Sequence, residues 1–240
     1  MDKAIELRSK CKHFRVLVIG RANAGKTTLL KKVCNSIEDP EVFSSEGKKV
    51  LSATLLGIKS RGLHDMENQL IFKSNPQFVF HDSRGFESGS VEELENVKTF
   101  IAKRAGGKNL SEQLHAIWYC LPTDTNRPLL KADEDFFNTD VTGKVPVIVI
   151  FTKFDGLVNE AYTELIDSEL SHEGAEEKQL EKAQGLLDSH FREPLRRAKY
   201  LPSDSVQIEA KALTDDTLML LFVSVQQNNV DLCIEYALEK

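Results

Sequence analysis

The run Arg15-Val16-Leu17-Val18-Ile19 leads without a break into Gly20-Arg21-Ala22-Asn23-Ala24-Gly25-Lys26-Thr27. This junction constrains the fold more than any other stretch of the chain. A short apolar run that meets glycine reads as a strand buried on both faces. From Lys26 onward, Leu29, Leu30 and Val33 recur at helical spacing, so a helix is expected to start at about Lys26. A strand, a glycine-rich turn and a helix in direct succession make the first half of a β-α-β unit, and such units build parallel sheets covered by helices.

The alternation continues along the chain. Strands are expected at about 67–72 and 77–82, joined by the turn-forming Ser74-Asn75-Pro76 as an antiparallel edge pair. Ser90 and Glu93 have the spacing of a capping box ahead of a helix with Leu94, Val97 and Ile101 on one face. The near-continuous apolar runs from His115 to Leu121 and from Val145 to Phe151 read as buried parallel strands. Residues 160–200 read as charged helix, with Leu180, Ala183, Leu187 and Phe191 on one stripe that Pro194 interrupts. A last strand is expected at 206–209, followed by a helical tail. The polar segment 35–65 reads mostly as loop, with a short strand at 50–56. Together these elements predict a three-layer α/β domain with a mostly parallel, six-stranded sheet and one antiparallel edge strand, its ligand at the carboxyl ends of the strands.

Composition narrows the partners. With 31 Lys+Arg against 37 Asp+Glu the formal net charge is -6, which argues against a broad nucleic-acid or anionic-membrane footprint. The cysteines Cys11, Cys34, Cys120 and Cys233 are widely spaced and contain no C-x-x-C pair, so neither a zinc site nor a disulfide framework is indicated. No signal region, lipidation motif or run long enough to span a bilayer is apparent. A cytoplasmic protein without a membrane anchor is the expectation.

Four stretches carry chemistry. The G-x-x-x-x-G-K-[ST] pattern of residues 20–27 lets a backbone wrap a phosphate chain: the amides of Asn23 to Thr28 point inward, Lys26 reaches the β and γ phosphates, and the Thr27 hydroxyl takes Mg2+. Asp82-Ser83-Arg84-Gly85 follows a strand, so the Asp82 carboxylate can support Mg2+ and the Gly85 N–H can meet a γ-phosphate. Thr152-Lys153-Phe154-Asp155 follows the apolar strand ending at Phe151. A carboxylate at Asp155 can accept from guanine N1–H and the 2-amino group together, a donor pair that adenine lacks, while the Lys153 stem lies along the base. Glu209-Ala210-Lys211 closes the last strand, where the Ala210 amide can donate to guanine O6, with Lys211 beside it.

This ordered set resembles the G domain of translation-factor-related P-loop GTPases, and the likeness covers nearly the whole chain. The 20–26 stretch is similar to the phosphate loops of Era-like and tRNA-modifying GTPases. The stretches Ser60 to Asp65, Phe80 to Glu87 and His115 to Cys120 look like a group of fungal single-domain G proteins. The resemblance implies a single G domain over 1–240: an N-terminal extension over 1–13, a long switch-one region over 35–65, and a helical insertion over 156–200. It also implies GTP and GDP as ligands with Mg2+, hydrolysis of GTP to GDP and phosphate as a molecular switch, and a protein effector or regulator. Septin-like and immune-associated relatives suggest an alternative, a module that dimerises with GTP and for which binding matters more than turnover.

The pattern also departs from its relatives. Where Ras-like GTPases place a glutamine after the D-x-x-G glycine, this chain has Phe86, which cannot orient a water molecule. In potassium-stimulated relatives the residue matching Asn23 is a cation ligand, so K+ is a candidate cofactor. Ser60 is the candidate switch-one ligand of Mg2+, with Thr54 the alternative. Arg21, Arg61 and Arg84 are candidates for neutralising transition-state charge, whereas His64, His81 and His115 are expected to serve packing or ordinary polar roles.

Overall fold

The computed structural model describes residues 13–50, 66–83, 91–105 and 110–208. Strand β1 (Phe14–Gly20) runs into the glycine turn, and helix α1 (Lys26–Val33) begins where the apolar spacing predicts, burying Leu29, Leu30 and Val33. Then come β2 (Glu41–Phe43), β3 (Gln69–Phe72) and β4 (Asn75–Asp82). Helix α2 (Val91–Ala105) precedes β5 (Ala116–Pro122), α3 (Lys131–Asn138) and β6 (Val147–Thr152). Helices α4 (Phe154–Asp167) and α5 (His172–Leu187) lead through a π-helical turn (Asp188–Arg192) into the short α6 (Glu193–Arg196), and β7 (Asp204–Gln207) ends the described chain.

The protein is α/β, with a mixed seven-stranded sheet among the described residues in the order β2-β3-β4-β1-β5-β6-β7. Strands β4, β1, β5, β6 and β7 pair in parallel, whereas β3 pairs antiparallel to both β2 and β4. Only β3 therefore runs against the others. This corrects the expected six strands with an antiparallel edge. The short β2 adds to the outer side of β3, so the strand of opposite direction lies inside the sheet and β2 forms the edge.

Strand alternation divides the core between the two faces of the sheet. Val16 and Val18 pack with Leu29, Leu30, Phe80, Trp118 and Ile150 on one face. Leu17 and Ile19 pack with Ile101, Tyr119, Phe136, Phe151, Leu157 and Leu187 on the other. The first face is covered by α1 and the second by α2, α3, α4 and α5. Strands β5 and β6 are buried throughout and β1 is buried after Phe14, because a strand covered on both sides leaves little room for exposed polar residues.

The stripe expected over 160–200 needs two corrections. Leu180 is 57% exposed. Helices α4 and α5 pack together with Ala161, Ala175 and Ala183 fully buried, so small residues fill the close seam and Leu180 falls outside it. Pro194 does not end the helical path. It sits in the first turn of α6, directly after the π turn, where the wider turn has already shifted the hydrogen-bond register. The short strand expected at 50–56 lies, but for its first residue, outside the described residues, as do Ser90 and the helical tail. No helix among the described residues is long and apolar enough to cross a membrane.

Candidate functional site

The parallel strands bring the carboxyl ends of β1, β4, β5 and β6 to one edge of the sheet. Strand β1 leaves for α1 on one face, and its neighbour β5 leaves for α3 on the other. Adjacent loops that diverge in this way open a crevice between them, the usual ligand position of open α/β sheets. Of the described residues singled out from the sequence, Gly20 to Thr28, Asp82 and Thr152 to Asp155 lie at these strand ends.

Gly20 has φ +153°, and a Cβ on it would lie 2.5 Å from the Cys120 carbonyl oxygen. Glycine is therefore required at the exit of β1, where the backbone passes directly against β5. Asn23 (φ 59°) and Gly25 (φ 76°) are left-handed, and Asn tolerates that conformation better than most residues. Its left-handed backbone gives Asn23 a role in shaping the loop. Ala24 is buried beneath the turn, while Ala22, Asn23, Thr27 and Thr28 are exposed. The Lys26 ammonium folds back to donate to the carbonyls of Gly20 (2.9 Å) and Arg21 (3.0 Å). Helix α1 has no acidic residue in its first turn and no side-chain cap, and it carries Lys31 and Lys32 in its last turn. Its leading N–H groups and the positive end of its dipole therefore face the turn with no acidic side chain from the helix's own first turn to satisfy them.

Asp82 closes β4, and its neighbour Ser83 donates its N–H to Val18 O (3.0 Å), which fixes that strand end beside β1. Burial pushes the Cys120 thiol up to about 12, with Lys26 opposing the shift and Asp82 reinforcing it. The Lys26 and Asp82 charges therefore both act at the end of β5.

Thr152, the last residue of β6, donates its hydroxyl to Ala24 O at 2.8 Å, across 128 residues of sequence. One buried hydrogen bond thus joins the glycine turn to the Thr152-Lys153-Phe154-Asp155 stretch. Lys153 is left-handed (φ 59°), which turns the chain sharply so that α4 begins at once and Asp155 stands half-buried in its first turn. Phe154 N–H donates to Ile208 O (3.2 Å) and Ile208 N–H to Phe151 O (2.8 Å), so the end of β7 is bound to this turn. Glu209, Ala210 and Lys211 follow immediately but lie outside the described residues. So do Gly85, Arg84, Phe86, Ser60, Thr54, Arg61 and His64.

The loop after β5, missed in the sequence reading, is part of the site. Thr123 Oγ1 donates to the carbonyls of Thr152 and Lys153, both at 3.1 Å, and the Lys153 ammonium pairs with Asp124 at 2.9 Å. Further along the same loop, Arg21 donates to the carbonyls of Arg127 (2.7 Å) and Pro128 (2.8 Å) and pairs with Asp133 (2.6 Å). Asp133 is wholly buried and also accepts from Tyr119 Oη (2.7 Å) and Leu130 N–H (2.7 Å). Burial, reinforced by the Asp133 carboxylate, raises the Tyr119 phenol well above its ordinary value, so it stays a donor. Arg21, a candidate for neutralising charge on a ligand, is therefore committed to the protein itself. The cluster Thr123-Asp124-Thr125-Asn126-Arg127-Pro128 at the end of a central strand is the signal that marks this loop.

His81 and His115 serve packing, as expected. His81 is fully buried, donating through Nδ1 to Met66 O (2.7 Å) and accepting at Nε2 from Arg15 (3.3 Å). Burial first, and the Arg104 charge second, hold it down to about 3. His115 Nδ1 accepts from Arg15 N–H (3.0 Å), and its ring stacks on Phe14. Among the described residues no group of three His, Cys, Asp or Glu is placed to hold a metal. Thr27 and Asp82 are hard oxygen donors, the type that Mg2+ takes with retained waters. No protein-family model matches the chain, and no curated protein matches it.

Proposed function

We propose that this protein is a P-loop GTPase of the G-domain type, with the three-layer arrangement of that class. It binds guanine nucleotide in the crevice between β1 and β5 and hydrolyses GTP slowly. The observation that carries the reading is the buried Thr152 Oγ1–Ala24 O hydrogen bond. It fastens a turn with the residue types for a phosphate chain to a turn with the residue types for a guanine base. On this reading the Lys26 ammonium exchanges its two carbonyl partners for phosphate oxygens, and the leading amides of α1 hold the same phosphates. Asp155 accepts from the base, and its position in the first turn of α4 sets its direction. Thr27 and Asp82 would hold Mg2+, which neutralises phosphate charge when bound. Phe86 supplies no group to orient a water molecule, so binding is the stronger half of the function.

The test is fluorescent-nucleotide binding. The wild-type chain binds the GDP analogue, and excess ADP does not displace it. Lys26→Ala loses most of the affinity, and Asp155→Asn transfers preference from guanine to xanthine nucleotide. Equal competition by ADP, or full affinity in Lys26→Ala, refutes the proposal.

A further inference from the structure

We infer that Asp124 is a positioning residue for the base-reading lysine, and that the loop from Thr123 to Leu130 forms one wall of the base pocket. This deepens the guanine-nucleotide reading and rests on it.

Lys153 carries its ammonium on a flexible four-carbon stem. A stem that must lie along a base loses rotamer freedom when the base arrives unless something orders it beforehand. Asp124 is placed to do that, with its Oδ2 2.9 Å from Lys153 Nζ. The two side chains are 37% and 35% exposed, and pairs this exposed add little to stability. The surroundings nevertheless fix the pair from three directions. Thr123 Oγ1 holds the carbonyls of Thr152 and Lys153, and Thr123 N–H donates to Thr152 O at 2.9 Å. Lys153 keeps a left-handed backbone that a lysine rarely adopts. Gly156, in the first turn of α4 beside Asp155, lies so close to the loop that a Cβ would come 2.5 Å from Asp124 Cβ and 3.3 Å from its Cα. A glycine inside a helix costs stability relative to alanine, and here its use is to let Asp124 approach.

The inference is tested by dissociation of a fluorescent GDP analogue from the full chain. Asp124→Ala releases it about fivefold faster, the size expected when one long side chain must be ordered on binding. Gly156→Ala, which displaces Asp124 without removing a charge, gives an increase of the same size. In the double variant Asp124→Ala/Lys153→Ala, release is no faster than in Lys153→Ala alone, because both changes remove one arrangement. The thermal midpoint without nucleotide stays at the wild-type value in Asp124→Ala, which separates positioning from general destabilisation. An unchanged release rate in Asp124→Ala, or effects of Asp124→Ala and Lys153→Ala that fully add, overturns the inference and leaves the guanine reading intact. Failure of the wild-type chain to bind the analogue overturns both.

Discussion

Replacing Asp133 by alanine should cost more stability than any other single change at the site. The carboxylate is wholly buried and accepts three hydrogen bonds, from Arg21, Tyr119 and the Leu130 N–H. Its partner Arg21 has a side chain only 9% exposed. Removing the carboxylate leaves a buried guanidinium held only by the Arg127 and Pro128 carbonyls, with its Nε already lacking a partner. Breaking a buried ion pair from one side costs about 3–5 kcal/mol. In a chain of this size that corresponds to a fall of roughly 10 °C in thermal midpoint.

Urea unfolding followed by circular dichroism reads the free energy, and the double variant Arg21→Met/Asp133→Leu identifies its origin. With both charges gone no uncompensated ion is buried, so the double variant should recover at least half of the loss. A cost below about 1 kcal/mol in Asp133→Ala would mean the pair is far better solvated than its burial indicates. A double variant no more stable than the single one would show that lost packing, not stranded charge, is responsible. Either result refutes the reasoning.

Two further outcomes follow from the same geometry. Gly20→Ala places a methyl group 2.5 Å from the Cys120 carbonyl, a backbone atom that cannot swing away, and should lower unfolding free energy by about 2–4 kcal/mol. His81 is held at about 3 against an ordinary 6.5, so below pH 6.5 the unfolded chain takes up a proton that the folded chain refuses. Stability is therefore fully present above pH 6.5 and falls by about 1.4 kcal/mol per pH unit toward 3 from this residue. Urea unfolding at pH 7 and 5.5 should show a pH-dependent loss that is smaller in His81→Asn.

The parts of the fold that were legible in the sequence are those where one physical signal acts alone. β1, β5 and β6 are continuous apolar runs because both of their faces are covered. The β3–β4 hairpin announced itself through Ser74-Asn75-Pro76, although its paired residues Phe72 and Asn75 confine the turn to Lys73 and Ser74. β2 escaped because Glu41-Val42-Phe43 is too short for any period to register, and it exists by pairing with β3. α3 escaped because its buried Ala132, Phe136 and Phe137 are interleaved with four charged residues, one of which, Asp133, faces inward. No periodicity rule anticipates a buried aspartate. Its partner is Arg21, 112 residues away, and that pairing depends on the order of the strands. The phosphate and base motifs were readable as residue types at fixed spacing, whereas the loop that joins them was not.

That loop changes how Arg21 should be understood. An arginine second in the glycine turn invites a role in charge neutralisation, but a guanidinium has a fixed set of donors, and here they are directed to two carbonyls and a carboxylate of the opposite wall. Moving it toward a ligand would leave buried Asp133 without its cationic partner, at a cost comparable to breaking the pair by mutation. On the guanine-nucleotide reading, this removes Arg21 from the groups that meet the transferring phosphoryl. Among the described residues, Lys26, the leading amides of α1 and an ion held by Thr27 and Asp82 are then left to carry that charge. On the same reading, a chain with Phe86 in place of a water-orienting glutamine and with Arg21 committed to structure keeps the groups that would grip a nucleotide. Neither Phe86 nor Arg21 would then contribute to fast hydrolysis. Arg21 acts instead on the shape of the crevice: it ties the turn after β1 to the loop after β5, whose other end holds Lys153 through Asp124. The glycine turn and the Thr152–Asp155 turn are joined directly by Thr152 and indirectly by this loop, so a disturbance at either turn reaches the other by two routes.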